Sequence, residues 1–254
     1  METYCGQVPD LFYELYEKFS PGPITYILPK SEAVPDIVTS GHNTVGIRFP
    51  QHPLTRNLLL KVNLPLAAPS ANPFGYVSPT TAAHVEEQMG SRIDYILDGG
   101  ACEVGLESTI IDLSGEKAKI LRLGGTPHEE IEAIAGPLMV NKTSTSNPSA
   151  PGMLSSHYAT GKTLVMGSIE DLLQKYPRQR AAILSLNTTY PQVPINHQRL
   201  LSHKGDLKEA AGNLFSVLRQ LDKMDVDIIL AERFPDEGLG HAINDRLERA
   251  AAKR

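Results

Sequence analysis

Seven polar side chains stand where apolar runs stop: Thr44 and Arg48, Ser70 and Asn72, Ser78, Ser108 and Arg122. A guanidinium can fork onto a carboxylate or a phosphate. Hydroxyls and the free N–H groups of a helix start suit anionic oxygens. Open α/β sheets take ligands beyond their strand ends. Together these residue types point to an anion or nucleotide site. Singly, each also has an ordinary reading: Ser78 before Pro79 caps a helix, Ser70 and Asn72 are turn residues, and the two arginines are surface ion-pair members. No GxxxxGK[ST], HExxH, GxSxG or GxGxxG occurs. P-loop, metalloprotease, α/β-hydrolase and dinucleotide readings therefore have no motif behind them.

The elements that must position these groups follow from periodicity. Val8, Leu11, Phe12, Leu15 and Phe19 keep helical spacing, with Pro9 suited to a first turn. "PGP" (Pro21 to Pro23) ends that helix. Strands are expected at Ile24 to Leu28, Thr44 to Phe49, Leu66 to Pro69, Ile93 to Leu97, Ser108 to Leu113 and Ala118 to Leu123. Helices are expected over Leu54 to Val62, from Ser78-Pro79 onward, and over Pro127 to Gly136. From Asn141 to Lys162 the chain turns rich in Ser, Thr, Pro and Asn and reads as a linker. "PGMLSSHY" within it carries Met, His and Tyr, which a passive tether has little need of. Beyond it, strands at Thr163 to Gly167, Ala181 to Leu186 and Asp227 to Glu232 alternate with helices at Ser168 to Tyr176, Asp206 to Met224 and Leu239 to Lys253. That alternation predicts a small parallel, Rossmann-like sheet.

The 254 residues suit two modest domains or one large one; the pattern favours two, expected at 1–138 and 163–254 with a linker and active-site lid at 139–162. Two cysteines, Cys5 and Cys102, without a CxxC, give neither a disulfide framework nor a zinc site, and a reducing cytoplasm is the natural setting. Residues 1–138 carry 9 Lys+Arg against 17 Asp+Glu, a balance of −8; the remainder carries 15 against 12, a balance of +3. Neither part has the basic stripe of a protein that grips nucleic acid through phosphates.

Seven stretches then occur in a meaningful order: "SPGPITYILPK" (Ser20 to Lys30), "TVGIRFP" (Thr44 to Pro50), "PLAAPSAN" (Pro65 to Asn72), "GLESTIIDL" (Gly105 to Leu113), "ILRLGG" (Ile120 to Gly125), "PGMLSSHYA" (Pro151 to Ala159) and "GLGHAINDRLERAA" (Gly238 to Ala251). In this the chain resembles the YrdC-type family of L-threonylcarbamoyladenylate synthases, in its long, two-domain branch. The resemblance implies a twisted mixed sheet with helices, followed by the small parallel domain. It implies synthesis of threonylcarbamoyl-AMP from L-threonine, bicarbonate and ATP, with release of pyrophosphate and with Mg²⁺ accompanying the triphosphate. The product would feed a tRNA-modifying complex that transfers the threonylcarbamoyl group to adenosine. Residue by residue, Thr44, Ser70, Ser78 and Arg122 match nucleotide contacts, and Tyr158 matches a linker tyrosine that closes over the nucleotide. Arg48, Ala68 and Ser108 match threonine contacts, with Arg48 on the carboxylate and Ala68 acting through its backbone. A closed, dry pocket would protect a labile carbamate and its mixed anhydride.

The chain also departs from that pattern. The family carries an upstream section with a threonine-recognition strand, a basic Lys-x-Arg segment and a His, none of which precedes "PGP" here. Little turnover is expected from the chain alone, and threonine-dependent exchange once such a section is supplied. Leu123 and Thr160 replace prolines of the family. A non-catalytic module holding nucleotide or RNA is the alternative. A related carbamoyl-adenylate enzyme of the maturation type is a third reading, without sequence evidence for its extra modules. Asp245 and Arg246 are expected to form a structural ion pair.

Overall fold

The computed structural model describes residues 3–140, 157–177 and 180–252. In chain order the helices and strands are α1 (Asp10–Phe19), β1 (Ile24–Pro29), α2 (Asp36–Thr39), β2 (Thr44–Ile47), α3 (Pro53–Val62), α4 (Ala82–Met89), β3 (Thr109–Asp112), β4 (Lys119–Arg122), α5 (His128–Ala135), β5 (Met139–Val140), β6 (Thr163–Met166), α6 (Ile169–Lys175), β7 (Ala181–Ser185), β8 (Gln198–Leu200), α7 (Leu207–Lys223), β9 (Ile228–Ala231) and α8 (Leu239–Ala251). They fall into two compact units. One is made of the described parts of Met1–Pro69 and Glu107–Leu154, the other of those of Ser70–Leu106 and Ser155–Arg254.

The first unit holds a mixed five-stranded sheet in the order β2-β1-β3-β4-β5. β1 pairs antiparallel with β2 and parallel with β3; β4 pairs antiparallel with β3 and parallel with β5. β3 is buried along its whole length, as a central strand covered on both faces must be. α1 starts behind Pro9, which has no N–H to lose there, and turns Phe12 and Leu15 inward. Ile27, Ile110 and Leu121 from three strands form a core cluster. β5 lies within the span expected to be turn and linker; its two residues are too few for periodicity to register.

The second unit holds a parallel sheet in the order β6-β9-β7-β8. The crossover through α6 skips one position, and the crossover through α7 returns β9 into that gap. β7 and β9 are buried at every residue, the continuous apolar run of a parallel sheet covered on both faces. Asp206 caps α7, its carboxylate accepting from the backbone N–H groups of Lys208 (2.7 Å) and Glu209 (2.8 Å). The short strand β8 was not expected from the sequence.

Three expectations fail in the stretch from Leu64 to Leu97. Leu66 to Pro69 is exposed and forms no strand, and neither does Ile93 to Leu97. Among the described residues neither segment has a ladder partner, and an apolar run without one is not a strand. The third failure is the helix expected at Ser78-Pro79. It begins at Ala82 instead, because Thr81 supplies the cap: its hydroxyl accepts from His84 N at 3.2 Å. Among the described residues, no helix is long and apolar enough to cross a membrane.

Candidate active site

In the first unit the parallel pairing of β1 with β3 sets Thr25 beside Ser108, and their hydroxyls lie 2.7 Å apart. Ser108 is 4% exposed. Arg122, at the end of β4, reaches across the antiparallel pair. Its Nε (3.1 Å) and Nη2 (2.9 Å) both donate to the carbonyl of Ser108, and Nη2 also lies 3.2 Å from the Ser108 hydroxyl. The result is a part-buried hydroxyl pair, with Ser108 itself buried, against a guanidinium, a combination suited to a carboxylate or phosphate oxygen.

The backbone around Ser108 is fixed from three sides. Thr109 N donates to Pro23 O at 2.9 Å, and Gly125 N to Glu107 O at 2.8 Å. The Thr109 hydroxyl donates to Thr126 O and accepts from Thr126 N at 3.0 Å. Gly124 is required by close approach: a Cβ there would lie 2.4 Å from Glu107 O and 2.5 Å from Thr109 N. The "SPGPIT", "ESTI" and "RLGG" stretches, far apart in sequence, thus meet at one point of the sheet.

The other proposed residues of this unit lie elsewhere in it. Thr44 opens β2 opposite Pro29, half-buried. Arg48 follows the end of β2 and is exposed, as is Ala68 in its extended loop. The side chains joined to Ser108 are a hydroxyl and a guanidinium, and a guanidinium repels a cation, so this cluster does not fit a resident magnesium site.

In the second unit Ser70 is exposed and Ser78 is buried. The segment between them is held by hydrogen bonds from side chains and linker backbone. Asn72 Nδ2 donates to Pro73 O (2.9 Å) and Tyr76 O (3.2 Å). Arg219, 3% exposed on α7, donates through Nη2 to Val77 O and to Gln88 Oε1 (2.9 Å), and through Nε to Ser78 O (3.3 Å). The Arg219 guanidinium lies 5.1 Å from the centre of the Tyr76 ring. Burial pulls the Arg219 pKa down, against the opposing pull of Tyr76, Glu87 and Asp222. Tyr76 donates to Asp222 Oδ2 at 2.8 Å; burial first, and then that hydrogen bond, push its hydroxyl up to about 12.

Tyr158 is 1% exposed, with φ at +60°, a left-handed conformation that a bulky residue adopts only under constraint. Its ring stacks on Phe215 at 5.3 Å, and the Arg246 guanidinium lies 5.3 Å from its centre. The rest of the expected lid, residues 141–156, lies outside the described residues. Asp245 and Arg246 do pair, at 2.8 Å, and Arg249 joins them at 3.0 Å.

Four contributors were not foreseen: Thr25, Tyr76, Arg219 and Asp222. Arg219 carried a readable signal, since it continues the inward stripe of Ala211 and Phe215 at four-residue steps, where an apolar residue is the rule.

Comparison with known proteins covers nearly the whole chain in two parts. A family model described as "Telomere recombination" matches residues 1–124, and one described as "Threonylcarbamoyl-AMP synthase, C-terminal domain" matches residues 126–252. The chain is 38% identical over 265 residues to a threonylcarbamoyl-AMP synthase of Bacillus subtilis (strain 168), covering 100% of the chain and 77% of that relative. It is 36% identical over 269 residues to that of Pyrococcus abyssi, with the same coverage. The crystal structure of P. abyssi Sua5 complexed with L-threonine superposes with a TM-score of 0.90 at 35% identity, covering 98% of the chain and 76% of that structure.

Proposed function

The chain belongs to the threonylcarbamoyl-AMP synthase family and is an enzyme of the nucleotidyltransferase type; from that premise we propose that its substrates are L-threonine, bicarbonate and ATP. The threonine amine takes up the carbon of bicarbonate with loss of water, giving a carbamate. A carbamate oxygen attacks the α-phosphorus of ATP, the bond to the β-phosphate oxygen breaks, and pyrophosphate leaves. The product is threonylcarbamoyl-AMP. Such a displacement needs positioning and neutralisation of charge more than acid–base chemistry.

The observation that carries this reading is the Ser108 cluster. A buried serine, a second hydroxyl and a forked guanidinium are held together by three motif segments, as recognition of an amino-acid carboxylate beside a phosphate requires. We assign Arg48, Ala68 and Ser108 to threonine, and Thr44, Ser70, Ser78, Arg122 and Tyr158 to ATP. Arg122 touches Ser108, so one hydrogen-bond cluster joins a proposed nucleotide residue to a proposed threonine residue. The related P. abyssi protein crystallised with L-threonine supports the choice of amino acid. Mg²⁺ belongs to the substrate, entering as the ATP complex. The product then passes, in the cytoplasm, to the machinery that modifies tRNA.

The test is threonine-dependent exchange of pyrophosphate into ATP, on the 254-residue chain alone and with the upstream section of a relative supplied. Exchange should require both threonine and bicarbonate and stop when either is omitted. If ATP binds but neither protein shows exchange, the catalytic reading fails. Tight, steeply salt-dependent tRNA binding in its place would mark a non-catalytic module.

A further inference from the structure

Ser78 owes its place to a helix that starts more than a hundred residues later. The backbone carbonyls of Val77 and Ser78 are both taken by Arg219, which also holds Gln88 of α4. One turn-step along α7, the Asp222 carboxylate bridges two further groups: Oδ2 accepts from the Tyr76 hydroxyl and Oδ1 from the backbone N of Lys162 at 3.0 Å. Ala159 N donates to Gly75 O, also at 3.0 Å. Five hydrogen bonds thereby tie the loop from Gly75 to Ser78, α7 and the end of the linker together.

A buried guanidinium is a costly way to attach a loop. An apolar side chain packs a helix as well, without desolvating a charge. What the fork adds is direction, since Nε and Nη2 address two successive carbonyls in a fixed planar geometry that a rotatable lysine ammonium on its flexible stem does not impose. The arrangement specifies the path of the Ser78 backbone as well as its burial.

We propose that Arg219 and Asp222 are positioning residues for the nucleotide: they fix the Gly75–Ser78 loop and the chain at Ala159–Lys162 in one frame, so that α7 sets ATP affinity without touching ATP. This rests on the assignment of Ser70 and Ser78 to the nucleotide.

The experiment measures dissociation constants for ATP and for L-threonine by calorimetry, with melting temperatures, on the full chain. Arg219→Lys should weaken ATP by about tenfold, the loss of hydrogen bonds from a charged donor, and leave threonine within about twofold. Asp222→Asn and Tyr76→Phe should each weaken ATP severalfold, and the double variant no more than the stronger single one, since both remove one interaction. A parallel fall of both affinities with the melting temperature would show a merely structural role and overturn the inference. Unchanged ATP affinity in Arg219→Lys would do the same. The variant Ser70→Ala with Ser78→Ala separates the premise. If it leaves ATP unchanged, the nucleotide assignment of the loop fails and the inference with it. If it weakens ATP while Arg219→Lys does not, only the positioning role falls.

Discussion

Ser108 and Ser78 are both buried hydroxyl residues of the proposed site, and they are held by opposite means. Ser108 precedes β3 and inherits its place from backbone ladders on both sides, with Arg122 closing over it. Ser78 lies in a segment without a strand, four residues before α4, and is held by Arg219, 141 positions away. A ladder spreads its hold over many backbone groups, so a side-chain change costs little unless it forces the strands apart. A loop held by side chains can be released by one substitution. The two regions should therefore answer to different kinds of mutation.

The largest effect belongs to the sheet-held region and requires a backbone clash. Gly124→Ala would set a Cβ 2.4 Å from Glu107 O and 2.5 Å from both the Ser108 carbonyl carbon and Thr109 N. The chain must separate there, at a cost of about 3 kcal/mol. Urea denaturation should show that loss, together with weakened threonine binding. Unchanged stability would mean that close packing of the "RLGG" turn does not fix Ser108, and the contrast would fail.

The same contrast explains what could be read in the sequence. Strands β1, β2, β3 and β4 were evident because each is a short apolar run bounded by Pro, Gly or polar residues. α7 and α8 were evident from their stripes. Ser108 and Arg122 were each singled out by their motifs, but that they meet, with Thr25, is set by the pairing of β1, β3 and β4. The stretch from Leu64 to Leu97 was misread because its apolar residues look like strand and its Ser-Pro looks like a cap. Both signals are local, whereas the Tyr76–Ser78 part of the stretch is held by Arg219 and Asp222 of α7. No local pattern announces a carbonyl that waits for a distant guanidinium. Arg219 itself was visible as a charge on an apolar stripe, though not what it would hold.

A smaller effect tests the corrected helix start. Thr81 accepts from His84 N, so Thr81→Ala should destabilise the second unit by about 1 kcal/mol. Ser78→Ala should leave that helix start as it is, since the cap lies three residues further on. Hydrogen exchange at the His84 amide distinguishes the two. Faster exchange in Thr81→Ala alone sharpens the comparison, and faster exchange in Ser78→Ala would restore Ser78 as the cap.

The smallest effect depends on pH. In the loop-held region Tyr76 titrates at about 12, against about 10 for an unperturbed tyrosine, with burial the main cause and its bond to Asp222 the second. Between those values the folded chain keeps a proton that the unfolded chain has lost. Stability from this group is therefore fully present below pH 10 and lost as pH rises toward 12. Tyr76 is half-buried, so solvent screening brings its share to roughly 1 kcal/mol. The hydroxyls of Thr25 and Ser108 do not titrate in this range; Tyr26 of β1, whose hydroxyl burial also pushes up, remains in wild type and Tyr76→Phe alike and cancels from their difference. Urea denaturation of the wild type and of Tyr76→Phe at pH 9 and pH 11 should show their stability difference narrowing at the higher pH. Tyr190, also pushed up to about 12, remains in both proteins and cancels from that difference. A difference that stays constant would mean that the Tyr76–Asp222 bond does not hold the loop in solution, and α7 would then hold it through Arg219 alone.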